Sequence, residues 1–567
     1  MEKHFATLWE AVADVAGDQE AIVQGSDRRN WAEYERRAAQ FAGVLHDAGV
    51  KHDSKVALYL RNSPEYLEAH FGALKIRAVP VNVNYRYRDE ELWYLLDNSD
   101  AEVVVFHRSL ADRVRSVQHR LPKLKMLIEV DDGSEPDTYD SVGEPYEELL
   151  AAREPQPRIS RSENDLYILY TGGTTGLPKG VMQRIGPFAR MFFERGASQF
   201  DEGRSARLDE AEAVVRSLID RRRLPISLVC PPLIHGTGLY IGAMMPHCVG
   251  GKAVLLAESS YDGREVLETV ERERPSFVVL VGDVMSKPVL RTLRDDREAG
   301  RTYDLSSVEV IFSSGVAWTP GVKEELLEEI PNATLMDRAG ATESTMGVQY
   351  SRRGEPIVAA RFVPPPTTKV LTEEGDEVAP GSGQAGMVAS CSEHVPLGYY
   401  KDPEKSAATF RTVNGVRYVF PGDWATVAED GSLQLLGRGT NCINTGGEKV
   451  FPEEVEGVID RIDGVEDCLV IGIPDEDYGQ SVAAVVALGP GSLLDEKKIV
   501  EITKRSLAGY KVPKRVVIAE RIPRFENGKP DYSLARDILS GLTGSAAPQT
   551  LVGAHPQAHG PRSKGIV

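Results

Sequence analysis

LYILYTGGTTGLPKG, residues 166–180, joins an apolar run to a loop made almost entirely of glycine, threonine and one lysine. Leu166–Tyr170 reads as a short buried strand. In the loop that follows, Gly172, Gly173 and Gly176 let backbone come close to an anion and take positive φ. Thr171, Thr174 and Thr175 bring hydroxyl donors, and Lys179 brings a mobile positive charge. The combination describes a phosphate cradle. It is not a Walker P-loop, which needs Gly-Lys-Ser/Thr at a fixed spacing, because Lys179 follows Pro178 and precedes Gly180.

Outward from this loop, helical patterns alternate with short apolar runs at 55–60, 103–106, 277–281 and 308–312. The rhythm predicts an α/β fold: a large N-terminal domain over residues 1–437, with layered sheets and helices in several subdomains. The acidic and basic stretch 201–223 has helical periodicity in its middle and reads as a solvated helical excursion. After Gly437 the pattern changes. Apolar runs at 468–473, 482–488 and 515–519, with a helical stretch near 496–507, predict a small α+β domain over 438–540. Residues 541–567, rich in Gly, Pro, Ala and Ser without apolar periodicity, are expected to be a disordered tail.

Composition sets limits on function. The 567-residue chain is 41% hydrophobic and 27% charged, and no apolar run approaches the roughly 20 residues that span a bilayer. The first residues lack the basic end and apolar middle of a secretory signal, so a cytoplasmic location is expected. Five scattered cysteines suit neither a disulfide framework nor a CxxC metal site. A formal charge of −19 argues against nucleic acid as a partner. The sequence leaves room for a homodimer and for peripheral contact with a membrane.

YTGGTTGLPKG resembles the signature loop of the adenylate-forming superfamily, which comprises acyl-CoA synthetases, adenylation domains and luciferases. Gly172 stands where that loop usually has serine. Further segments follow in the family's order. CPPLIHGTG (230–238) carries His235, which the resemblance places beside the acyl carboxylate as a gate. IFSSGVAW (311–318) supplies Ser314, Gly315 and Val316, matching the strand exit where adenine and acyl chain pass close to backbone. DRAGATEST (337–345) resembles the Tyr-Gly-x-Thr-Glu motif, so that Thr342 would bond the α-phosphate and Glu343, with Thr174, would hold magnesium. The aromatic that stacks on adenine in that motif is Ala339 here.

The resemblance also assigns Asp423 and Arg438 to the ribose hydroxyls and makes Thr440 the hinge between domains. It places Gly446, Gly447, Glu448 and Lys449 against the pantetheine arm of coenzyme A. Lys529, in RIPRFENGKPDYSLAR (521–536), matches the near-terminal lysine that meets both the attacking carboxylate and the α-phosphate. The implied cofactors and substrates are ATP, Mg2+, coenzyme A and a carboxylic acid. The implied reaction forms acyl-AMP and pyrophosphate, and then acyl-CoA and AMP. YTGGTTGLPKGVMQR, PPLIHGTG and VGDVMSKPVL together resemble a bacterial branch acting on medium- or long-chain fatty acids or steroid side-chain acids. Small residues around His235, with no basic residue clearly fixed in the pocket, favour an apolar acid. A fatty-acyl-AMP ligase without CoA transfer, a peptide-synthetase module and a non-catalytic nucleotide-binding relative are the alternatives, the last kept open by Ala339 and Asn444.

Overall fold

A computed structural model describes residues 1–134, 142–171, 177–258, 260–316, 318–445, 448–475, 479–507, 509–525 and 528–541. The chain forms two compact units, Met1–Leu435 and Leu436–Val567, each described by itself below.

In the larger unit, runs that are apolar on both faces become parallel strands, as burial on both sides requires. The five-stranded sheet runs Val79–Asn82, Lys55–Tyr59, Ala101–His107, Met126–Val130, Glu144–Pro145, with every pairing parallel. All five residues of Lys55–Tyr59 are buried. The eight-stranded sheet has a parallel centre, Val310–Ser314, Phe277–Leu280, Ile226–Val229, Lys252–Leu255 and Glu20–Gln24. An antiparallel hairpin closes one edge, Thr334–Ala341 with Ser344–Ser351, and strand Asp27–Asn30 closes the other. Local chemistry starts the covering helices: Ser63 Oγ accepts from the Tyr66 amide and Pro64 opens helix Pro64–Lys75. That helix lies so close to helix Trp31–Asp47 that a Cβ on Gly72 would sit 2.7 Å from the Ala38 carbonyl oxygen.

Two smaller sheets complete the unit. One is three-stranded and antiparallel: Gly398–Tyr399, Lys179–Arg184, Leu166–Thr171. The other is seven-stranded and begins at Arg361. The stretch 201–223 departs from expectation. It does contain a helix, Ala211–Asp220, but Val214, Val215 and Leu218 are fully buried in the main apolar core. Its charges mark only the outer face of an amphipathic helix, whose apolar face anchors it to the domain.

In the smaller unit the period-two pattern is plain. Leu469, Ile471, Ala483 and Val485 pack on one face with Ala535 and Leu539 of helix Tyr532–Ser540. Cys468, Val470, Val482 and Ala484 pack on the other with Val455 and Ile459 of helix Pro452–Ile459. Strand Arg515–Ala519 joins parallel to Gly479–Leu488.

Candidate active site

Segments 230–238, 315–316 and 342–343 follow the carboxyl ends of strands paired in parallel, where open α/β sheets place their ligands, whereas the Gly/Thr loop follows Leu166–Thr171 of the antiparallel three-stranded sheet. Segment 230–238 leaves strand Ile226–Val229. Two buried or half-buried asparagines hold it, Asn62 just beyond strand Lys55–Tyr59 and Asn82 at the end of strand Val79–Asn82. Asn62 donates to the Pro231 carbonyl at 3.1 Å and accepts from the Leu233 amide at 2.7 Å. Asn82 donates to the Ile234 carbonyl at 2.7 Å and to the Tyr170 carbonyl at 2.8 Å, and accepts from the Tyr170 amide at 2.7 Å. One side chain therefore ties the strand entering the Gly/Thr loop to the residue before His235. His235 itself is exposed, and its backbone carbonyl accepts from Leu239 as the chain enters a π-helix, Thr237–Met244. Such helices are rare and recur at functional sites. Gly238 is obligatory here, since a Cβ would lie 2.4 Å from the Pro232 carbonyl oxygen.

The π-helix carries Tyr240 into an aromatic cluster with Tyr167, Phe188 and Phe192, at ring separations of 5.2–6.0 Å. Burial holds its hydroxyl well above the usual tyrosine range, and the Glu343 carboxylate adds to that shift.

Thr342 and Glu343 are the two-residue turn of the hairpin Thr334–Ala341/Ser344–Ser351, where Ala341 pairs with Ser344. The turn exposes both side chains partly and takes them off the strand faces. Glu343 Oε1 accepts from the Tyr399 hydroxyl at 2.7 Å. Tyr399 pairs with Val181 on the strand that begins at Lys179, and Lys179 Nζ lies 5.7 Å from the Tyr399 ring centre and 3.4 Å from Asp402. Lys179 also pairs with Thr171, closing the base of the Gly/Thr loop. The lysine at the base of the loop and the carboxylate on the hairpin turn are therefore joined through one phenol. Gly315, at φ +96, turns the chain out of strand Val310–Ser314, with Val316 next, while Ser314 Oγ donates to the Arg338 carbonyl at 2.9 Å.

Other predicted residues divide clearly. Asp423 opens strand Asp423–Val427 in the larger unit. Ala339 is 9% exposed and packs with Met346 and Phe362, so its position serves the core of the seven-stranded region. Gly172, Gly173, Thr174, Thr175, Gly176, Gly446 and Gly447 lie outside the described residues, as does nearly all of the predicted tail. Arg438, Thr440, Glu448 and Lys449 belong to the smaller unit and are placed by backbone alone; Thr440 lies in the single turn Gly439–Asn441. The Lys529 carbonyl accepts from the Phe525 amide at 2.8 Å, and Gly528 has φ +79.

The sequence reading missed Tyr399, Asn62 and Asn82. An asparagine ending the apolar run VPVN (79–82) is a usable signal, since a polar amide there must find buried partners. Tyr399 gives none locally. Among the described residues no three or more His, Cys, Asp or Glu side chains converge on a metal position. Magnesium, held chiefly by phosphate oxygens with one or two carboxylates, suits a lone carboxylate on a turn beside a phosphate loop, and Glu343 fits that donor set.

This geometry is that of an AMP-binding enzyme, and the chain belongs to that family: the AMP-binding enzyme model matches residues 9–400, and the model of its C-terminal domain matches residues 454–529. The chain is 39% identical to the medium/long-chain-fatty-acid–CoA/3-oxocholest-4-en-26-oate–CoA ligase of Mycolicibacterium smegmatis, over 95% of this chain and 97% of that one. It is 38% identical to the 3-oxocholest-4-en-26-oate–CoA ligase of Rhodococcus rhodochrous, over 95% and 96%. In fold it resembles the anthranilate CoA ligase AuaEII in complex with anthranoyl-AMP, with a TM-score of 0.78 at 22% identity, covering 95% of this chain and 97% of that one.

Proposed function

We propose that this chain is an ATP-dependent acid:CoA ligase that converts an acid, ATP and coenzyme A to acyl-CoA, AMP and pyrophosphate through an acyl-adenylate. The substrate would be a medium- or long-chain fatty acid or a steroid side-chain carboxylate, as the names of the full-length relatives suggest. The observation that carries the reading is the link Lys179–Tyr399–Glu343 beside the Gly/Thr loop. It sets a cation and a carboxylate at one phosphate-binding corner.

In the first half-reaction the acid's carboxylate oxygen attacks the α-phosphorus and pyrophosphate leaves. Lys179 and the loop hydroxyls hold the phosphates, Thr342 bonds the α-phosphate, and Lys529 neutralises charge where nucleophile and phosphorus meet. Bound magnesium, held by Glu343 and Thr174, would supply Lewis-acid charge to the phosphate oxygens. Asp423 and Arg438 take the ribose hydroxyls. Ser314, Gly315 and Val316 offer backbone to the adenine and acyl chain. His235, exposed at the entrance to the π-helix, gates the carboxylate.

In the second half-reaction the coenzyme A thiolate attacks the acyl carbon and AMP leaves. Lys529 and the Gly446–Lys449 segment belong to the same small unit but serve different steps, so a pivot at Thr440 would exchange them. No helix among the described residues is long and apolar enough to cross a membrane. We place the enzyme in the cytoplasm, with homodimer formation and peripheral membrane contact open to direct measurement.

A panel of short, medium, long-chain and sterol carboxylates, incubated with ATP, Mg2+ and coenzyme A, tests the reading by mass spectrometry of the thioesters. Thioester with concurrent AMP is expected. AMP and acyl-adenylate without thioester would move the protein to the acyl-AMP ligases, and neither product with any acid would make it a binding protein.

A further inference from the structure

The turn that leaves strand Val310–Ser314 is held at both ends by the first residues of helix Gly282–Glu298. On the strand side, Ser313 Oγ accepts from the Gly282 amide at 2.8 Å, and Ser313 is fully buried. On the far side, the Asp283 carboxylate accepts twice from Thr319, from its amide at 2.9 Å and from its hydroxyl at 2.9 Å. Between these anchors stand Ser314, Gly315 and Val316. Ser314 Oγ donates to the Arg338 carbonyl, but Gly315 is exposed, and a Cβ there would meet nothing within 4 Å. The middle of the turn therefore takes its shape from its ends.

Thr319 is the N-cap of helix Pro320–Glu329, where a threonine hydroxyl ordinarily accepts from its own helix. Here it makes no such bond and donates to Asp283 instead. Asp283 lies in the first turn of its own helix, so its carboxylate stands at the amino ends of two helices, both of which favour a negative charge. Lys287 Nζ, one turn along, lies 3.5 Å from it. One turn beyond Thr319, the buried Lys323 donates at 2.6 Å to Asp337 and at 2.6 Å to Gln349. These two residues face each other on the strands of the hairpin that turns at Thr342 and Glu343. The first turn of helix Pro320–Glu329 thus bridges Asp283 to that hairpin.

A turn that meets its ligand through backbone is shaped less by its own side chains than by whatever fixes its ends, and misplacement there is lost directly from binding. We propose that Asp283 is a positioning residue for ATP: by holding Thr319 it fixes the turn 314–316 in the form that receives adenine. The inference rests on the ligase reading, in which that turn offers backbone to the base. Asp283 acts through Thr319 rather than by touching the nucleotide, so geometry matters here more than charge. An asparagine can keep that geometry, because its amide oxygen accepts from the Thr319 amide while its NH2 donates to the hydroxyl oxygen. An alanine leaves both Thr319 donors without their acceptor and frees the far end of the turn. Lys179, Thr342 and Glu343 lie on other segments, so the loss falls on the base and not on the phosphates.

The test is acid-dependent pyrophosphate release from ATP and from GTP, with the most active acid of the panel, by the native protein, Asp283→Ala, Asp283→Asn and Thr319→Val. Asp283→Ala should raise the KM for ATP at least tenfold and lower the ATP:GTP ratio of kcat/KM at least fivefold, with kcat at saturating ATP and the KM for the acid within about threefold of native. Asp283→Asn should restore the KM for ATP to within about threefold of native. Thr319→Val, which keeps the amide donor and loses the hydroxyl, should raise the KM for ATP at least threefold without moving that for the acid. A smaller rise in Asp283→Ala, an unchanged ATP:GTP ratio, a rise matched by the KM for the acid, or an asparagine variant as impaired as the alanine one overturns the inference while leaving the ligase intact. If Asp283→Ala fails to fold, as judged by thermal melting, Thr319→Val decides by its two KM values. No pyrophosphate from the native protein with any acid overturns the ligase reading and this inference together.

Discussion

The Tyr399 hydroxyl donates to Glu343 Oε1 at 2.7 Å, joining residues 56 positions apart. Tyr399 also flanks Lys179, so this contact couples the hairpin turn to the base of the Gly/Thr loop. A hydrogen bond to a charged group contributes about 1.5–3 kcal/mol. Tyr399→Phe removes the donor and leaves the ring. The Mg2+ concentration for half-maximal pyrophosphate release should rise roughly tenfold, with less change at saturating Mg2+. A Mg2+ titration coincident with that of the native protein would show that the phenol does not position the carboxylate.

Asn82 makes three hydrogen bonds while only 6% exposed. Asn82→Ala strands two carbonyls and one amide, each of which costs about 1–3 kcal/mol when left unpaired. Partial rehydration reduces the sum, and about 2–4 kcal/mol of lost stability is expected in urea denaturation. The KM for the acid should also rise, because the loop bearing His235 loses an anchor. Unchanged stability would mean that the clamp is dispensable.

Two histidines predict how stability follows pH. Burial pushes His70 down to about 3 and His247 down to about 4 from the ordinary 6.5. The folded protein keeps both neutral, whereas the unfolded chain protonates them below about 6.5. Unfolding therefore takes up protons in this window, and stability falls as pH drops from about 6.5 towards 4, by up to about 1.4 kcal/mol per pH unit for each histidine. His247 Nε2 donates to the Ala21 carbonyl at 3.0 Å, so His247→Gln can keep a donor without the titration. Its stability curve should be flatter between pH 6.5 and 4. An equal slope would assign the loss to other groups.

Lys529 separates the half-reactions. Lys529→Ala should lose at least 100-fold in adenylation yet convert supplied acyl-AMP and coenzyme A to thioester at a rate within a few-fold of native. Equal loss in both would contradict the exchange of Lys529 for the Gly446–Lys449 segment.

The parts of the fold that were legible in the sequence carried their own periodicity. The apolar run 515–519 is strand Arg515–Ala519, and Leu469 and Ile471 alternate with Cys468 and Val470 just as they divide between two cores. Boundaries set by partners were less visible. Strand Val310–Ser314 begins two residues into its apolar run, where pairing with Phe277 and Thr334 starts. The charged segment around helix Ala211–Asp220 concealed an apolar face, because charges are frequent in the sequence whichever side they occupy. In the candidate site, residue type alone nominated the Gly/Thr loop and the pair Thr342 and Glu343. Tyr399 and Asn62 gave no such signal, since their contacts arise where segments distant in sequence meet.

The most direct measurement of the central claim is pyrophosphate–ATP exchange, which reads formation of the α-phosphorus bond to an acid without needing coenzyme A. The native protein should exchange label only when Mg2+ and a cognate acid are both present, and Glu343→Gln should lower that exchange at least tenfold and raise the Mg2+ it requires. Absence of exchange with every acid in the panel, or exchange in Glu343→Gln with native Mg2+ dependence, would contradict it.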